Sequence, residues 1–152
     1  MLHVKVGYPT RDDERRILDR MSARTTPEVQ PVIDTAQIQR ARGVVSNIHA
    51  DDKVKDYIIN LVWATRDPKA AGLADLENLI EMGASPRASL SLAAAARAHA
   101  FLRRRPAVFP DDIKAIGPDV LRHRIMLTYE AEAENVEVEE VVQRVFDAVP
   151  IP

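Results

Sequence analysis

The stretch Gly83-Ala84-Ser85-Pro86-Arg87-Ala88 constrains this chain more than any other, because it fixes where a long alanine-rich helix begins. Ser85 is a favoured N-cap residue, and Pro86 suits the first helical position, where its missing N–H costs nothing. The run beyond it carries Leu90, Leu92, Ala93 to Ala96, Ala98, Phe101 and Leu102, and its small side chains let neighbouring helices approach closely. A central helix is therefore expected from Pro86, ending at Arg103-Arg104-Arg105, where cations suit the helix dipole. Arg87 runs against that logic. A guanidinium in the first turn faces the positive end of the dipole, and Ala88 holds the position from which Glu or Gln would fold back onto the free amides. An open helix start beside an arginine is a place for an external anion, with phosphate the commonest candidate.

The remaining residues read as further helices. Thr10 caps a first helix from about Arg11 to about Ser22, with Asp12, Asp13 and Glu14 in its first turn and a stripe of Ile17, Leu18 and Met21. A loop is expected over Thr25 to Pro31. Asp34 and Gln37 form a capping box for a second helix, and Asp51 caps a third through Val54, Tyr57, Ile58, Leu61 and Val62. Ile59 and Trp63 fall on another side of that third helix. Thr65 to Met82 reads as loop with one helical turn. Pro110 opens a short helix behind an uncapped Phe109, Gly117-Pro118 is expected to stop it, and Asp119 to cap another carrying Val120, Leu121 and Ile125. The alternation Tyr129 to Glu134 suggests an extended edge with three acids on one side, and Val138 to Val149 a last amphipathic helix. At the front, Met1 to Gly7 reads as a short strand with no partner elsewhere in the sequence, which suggests a piece of a longer chain. The fold class is all-α.

Composition and motifs exclude much. The 152 residues, 46% of them hydrophobic, suffice for one compact domain or two small lobes. A net charge of -2 argues against a dedicated nucleic-acid binder. The absence of cysteine rules out thiolate chemistry and disulfides and fits a reducing cytoplasm. No apolar run is long enough to span a bilayer, so no membrane role is expected. His3, His49, His99 and His123 share no metal-ligand spacing, and no metal site is expected. The five glycines build no phosphate-cradling loop, so the anion site at Arg87 lacks half of its walls within this chain.

Several motifs in fixed order resolve that gap. Gly7-Tyr8-Pro9-Thr10-Arg11 with Ile17-Leu18, then Ala64-Thr65-Arg66, Gly83 to Ala88, Val120-Leu121-Arg122-His123-Arg124-Ile125 and Tyr129 to Glu134 resemble the C-terminal part of MoxR-family AAA+ ATPases over nearly the whole chain. The resemblance implies that residues 1–9 are the last strand and linker of a nucleotide-binding core and residues 10–152 a helical lid bundle. It implies that Arg87 is the second-sensor arginine contacting the γ-phosphate, and that Tyr8, Pro9, Ile17, Ala84 and Pro86 border the adenine. It further implies ATP with Mg2+ as cofactor of the complete protein, with none binding tightly to this chain alone. The implied partners are a P-loop core on the same chain, a homo-hexamer, and client proteins served in a chaperone-like role beside von Willebrand factor A domain proteins. The chain departs from the family at Phe109 and Glu137, where a Thr cap is common.

Two other readings compete. A freestanding helical interaction module would recruit a protein through Ile59 and Trp63 or through the last helix, without nucleotide chemistry. A helix-turn-helix DNA binder over Ala107 to Ile125 lacks the basic stripe it would need. For Arg87 itself, the alternative is a surface ion pair with Glu77 or Glu81, worth little.

Overall fold

The computed structural model describes residues 1–22 and 28–152. The loop expected over Thr25 to Pro31 thus lies partly outside the described residues. Among the described residues, seven helices and one small strand pair run in order: α1 (Arg11–Ser22), α2 (Thr35–Ser46), α3 (Asp52–Ala64), a 3-10 turn (Ala74–Leu76), β1 (Ile80–Met82), α4 (Pro86–Leu102), α5 (Pro110–Leu121), β2 (Met126–Leu127), α6 (Tyr129–Ala133) and α7 (Val138–Ala148).

The start signals act as their chemistry dictates. Asp34 Oδ1 accepts from Gln37 N at 2.6 Å, and Gln37 Oε1 accepts in turn from Asp34 N at 2.7 Å, completing a capping box. Asp51 Oδ1 accepts from Lys53 N at 2.7 Å to open α3. α3 then buries Val54, Tyr57, Ile58, Leu61, Val62 and Ala64. α4 supplies the centre, burying Ala88, Leu92, Ala95, Ala96 and Ala100, and packs chiefly along α5, with α2 and α3 also against it. α7 closes the core with Val141, Val142, Val145 and Phe146. Burying residues of this kind contributes about 1.5–3 kcal/mol per large side chain, so α3, α4 and α7 together with α5 carry most of the hydrophobic stabilisation. A short parallel bridge joins the two inter-helix links, with Val108 N donating to His49 O at 2.9 Å.

Three expectations are corrected. Gly117-Pro118 does not stop a helix; α5 runs through both to Leu121. Packing overrides the broken hydrogen bond here: Gly117 sits under the Phe146 ring, where an added Cβ would lie 2.1 Å from Cζ, and Val120 and Leu121 beyond it are fully buried. Tyr129 to Glu134 is not an extended edge but opens α6, because Thr128 caps it by accepting from Ala131 N at 3.2 Å and Ala131 is buried. Asn135 then ends it at φ 59°, a left-handed conformation asparagine tolerates. The opening segment, read as a strand without a partner in this sequence, makes no ladder within the described part of this chain. Residues 1–10 pair with no strand among the described residues, since a strand needs a ladder partner and His3 N finds only the Asp119 carbonyl, at 2.7 Å. The third correction is the strand pair that does form, Ile80 opposite Leu127 and Met82 opposite Met126, which puts β1 inside the stretch Thr65 to Met82 read as loop.

Candidate functional site

The corner where α3 ends and α4 begins is built by main chain as much as by side chains. Thr65, fully buried, donates its hydroxyl to Val62 O at 2.7 Å and accepts from Ala84 N at 2.9 Å. Arg66 crosses the same gap, its Nε donating to Ala84 O at 2.6 Å while its guanidinium lies 5.6 Å from the Trp63 ring centroid. Both polar groups of Ala84 are thus satisfied from α3's end. The approach is so close that a Cβ on Gly83 would stand 2.2 Å from the Thr65 carbonyl oxygen, which only glycine permits. This corner fixes the position and direction of the α4 N-terminus.

That N-terminus is open. Ser85 has the extended N-cap backbone (φ -76°, ψ 169°), yet its side chain caps no amide, and no acid lies in the first turn. Arg87 is exposed, and among the described residues it forms no ion pair with Glu77, Glu81 or any other acid. An uncapped helix start with an unpaired guanidinium attracts anions through the backbone N–H groups and the dipole together. No acidic pair accompanies it that would hold a metal ion, and among the described residues no cluster of three His, Asp or Glu is so placed. The arrangement therefore suits an anion.

Of the residues singled out from the sequence, Ala84, Pro86 and Arg87 are placed together at this corner, with Ala84 fully buried beneath it. Tyr8, Pro9 and Ile17 are not joined to them. Tyr8 is wholly exposed, Ile17 is about half exposed, and α1 buries none of its residues. Four surface clefts, of about 780, 630, 570 and 420 Å3, are lined by other residues.

The sequence motifs do not disclose the contacts made by two groups of residues. Thr65 and Arg66 position the site, and their signal is the need for a close-approach glycine at Gly83. The second is Asp112, fully buried at the start of α5: Oδ2 accepts from Phe109 N at 2.8 Å, while Oδ1 lies 2.8 Å from His99 Nδ1 and 3.5 Å from Arg105 Nη1. An acid two positions after Pro110 is the sequence mark of that capping contact.

Residues 74–145 match the AAA lid domain family. The whole chain is 39% identical to Chaperone MoxR1 of Mycobacterium tuberculosis, covering 40% of that protein, and 118 residues are 40% identical to Protein MoxR of Paracoccus denitrificans, covering 34% of it. The chain thus spans about two fifths of the length of these curated relatives. A crystal structure of a candidate ATPase from Cytophaga hutchinsonii superposes over 100% of this chain and 46% of its own, with a TM-score of 0.94 at 33% identity.

Proposed function

Since the chain belongs to the MoxR family of AAA lid-bearing proteins, we propose that it is the lid, residues 10–152, of an ATPase whose nucleotide-binding core precedes it and is entered through residues 1–9. In this reading Arg87 is the second sensor: its guanidinium meets the γ-phosphate of ATP bound to the core, and the open α4 N-terminus adds its dipole. Losing that phosphate on hydrolysis removes a charge-assisted contact, so lid position differs between the ATP and ADP states. Ala84 and Pro86 border the adenine, and Tyr8, Pro9 and Ile17 complete that pocket when the core brings α1 against it. The exposed stripe of α1 supports this, since an amphipathic helix with nothing buried has its partner elsewhere.

The observation that carries the reading is Arg87 itself, unpaired on an uncapped helix start and held there by the Thr65–Gly83 corner. In the complete protein Arg87→Ala lowers ATPase turnover well beyond twofold, and unchanged turnover overturns the assignment. The chain alone, lacking a P-loop and a magnesium-binding acid pair, is expected not to hydrolyse ATP. The complete protein is proposed to assemble as a hexamer in the cytoplasm and to act on client proteins as a chaperone, alongside von Willebrand factor A domain proteins. Among the described residues no helix is long and apolar enough to cross a membrane.

A further inference from the structure

The segment ahead of α1 has no secondary structure of its own, yet it is fastened to the body at several points. His3 N donates to the Asp119 carbonyl at 2.7 Å, Arg122 Nη1 donates to the His3 carbonyl at 3.0 Å, and Lys5 Nζ lies 3.5 Å from Glu139 and 3.9 Å from Glu137. Arg122 is itself held by Asp119 at 3.0 Å, which neutralises it. Arg124 reaches furthest. Its Nη1 donates to the Met1 carbonyl at 3.1 Å and to the Val120 carbonyl, and its Nη2 donates to Ser91 Oγ at 3.3 Å. Ser91 stands one turn after Arg87 on α4, so the two share a helix face. One guanidinium therefore touches the entry segment, the end of α5 and the back of the Arg87 face.

We propose that Arg124 is a positioning residue that holds the segment ahead of α1 against the Arg87 face of α4, so that the two shift together when Arg87 engages a terminal phosphate. The proposal rests on the nucleotide role given to Arg87 above. Arginine suits the task because its planar fork offers donors in several fixed directions, whereas a lysine ammonium is a point charge that does not span three elements at once. Arg124 makes its contacts a full turn behind the open helix start, so it acts on coupling and leaves nucleotide affinity alone.

The test uses the complete protein, loaded in turn with magnesium and a slowly hydrolysed ATP analogue or with MgADP, and follows amide exchange of residues 2–5 by mass spectrometry. The two nucleotide states differ in exchange rate there by threefold or more in the parent protein. Arg124→Ala and Arg124→Lys erase the difference and lower kcat several-fold while KM for ATP stays within twofold, a split that a general loss of structure does not produce. Ser91→Ala removes only the acceptor on α4 and also erases the difference, and it decides the matter alone where Arg124→Ala fails to fold. Equal exchange in the two states of the parent, or a difference that survives in Arg124→Ala and Ser91→Ala, overturns the proposal. Unchanged turnover in Arg87→Ala strikes the nucleotide reading instead. Reduced turnover there together with intact exchange differences in Arg124→Ala strikes this inference only.

Discussion

α4 and α5 open on the same pattern and use it in opposite ways. Each has proline at its first helical position behind an extended N-cap residue, Ser85 in one and Phe109 in the other. At the third position α5 has Asp112, whose buried carboxylate folds back onto Phe109 N and faces His99 and Arg105; α4 has Ala88, also buried, and its side chain satisfies nothing. At the second position α5 carries Asp111, which suits the dipole, and α4 carries Arg87, which opposes it. The N-cap with the better capping residue is thus the uncapped one. Packing and capping energy is spent at α5, where it stabilises the body, and withheld at α4, where the side-chain-uncapped helix start and the unpaired cation are what an anion needs.

The comparison is broken or sharpened by substitutions at matched positions. Asp112→Ala leaves Phe109 N without its acceptor and His99 and Arg105 without their carboxylate, and is expected to lower unfolding free energy by about 3 kcal/mol in urea titration. A loss under about 1 kcal/mol means that the α5 start is not closed by this residue. Gly83→Ala forces Thr65 and Gly83 apart and costs about 2 kcal/mol by the same measurement. Arg87→Asp, which gives α4 the charge that α5 has, stabilises the chain by about 0.3–1 kcal/mol in thermal melts while reducing ATPase turnover of the complete protein. Destabilisation would show that Arg87 is satisfied structurally after all. Ser85→Ala, at a cap that makes no bond, changes stability by less than about 0.5 kcal/mol, against the ~1 kcal/mol typical of a working serine cap.

The smallest effect concerns the other end of α5. Burial first, and then Arg124, His3, the N-terminal amine and Arg122, hold the His123 imidazole below its usual 6.5. The folded state therefore binds fewer protons than the unfolded state just below pH 6.5. Stability is fully present above that value and declines slightly as pH falls through the window beneath it. His123→Asn is expected to flatten that slope.

Helices with strong start signals were legible from residues alone: Asp34 with Gln37, Asp51, and Ser85-Pro86 each mark a boundary that the structure keeps. The two errors have different causes. Gly117-Pro118 reads as a stop by local rules, and only the Phe146 ring, nearly thirty residues on, explains why glycine is there and why the helix continues. Tyr129 to Glu134 alternates like a strand because glutamates fall on every second residue, while the deciding contact is a hydroxyl at Thr128 whose partner lies along the chain. Arg87 was legible as an anomaly. Its support by Thr65 and Arg66 was not, because a bond from Thr65 to Ala84 joins residues that no local spacing relates.

The bareness of α1 has a calorimetric consequence. Every buried residue among those described lies between Ile48 and Val149, so roughly a third of the chain hides almost nothing from water. Heat capacity of unfolding tracks surface newly exposed, at about 12–15 cal/mol/K per residue for a typical globular chain. This molecule should melt as one of about 100 residues, with a change of about 1.2–1.5 kcal/mol/K in place of the ~2 kcal/mol/K its full length would suggest. The shortfall measures the apolar surface left for a partner to cover.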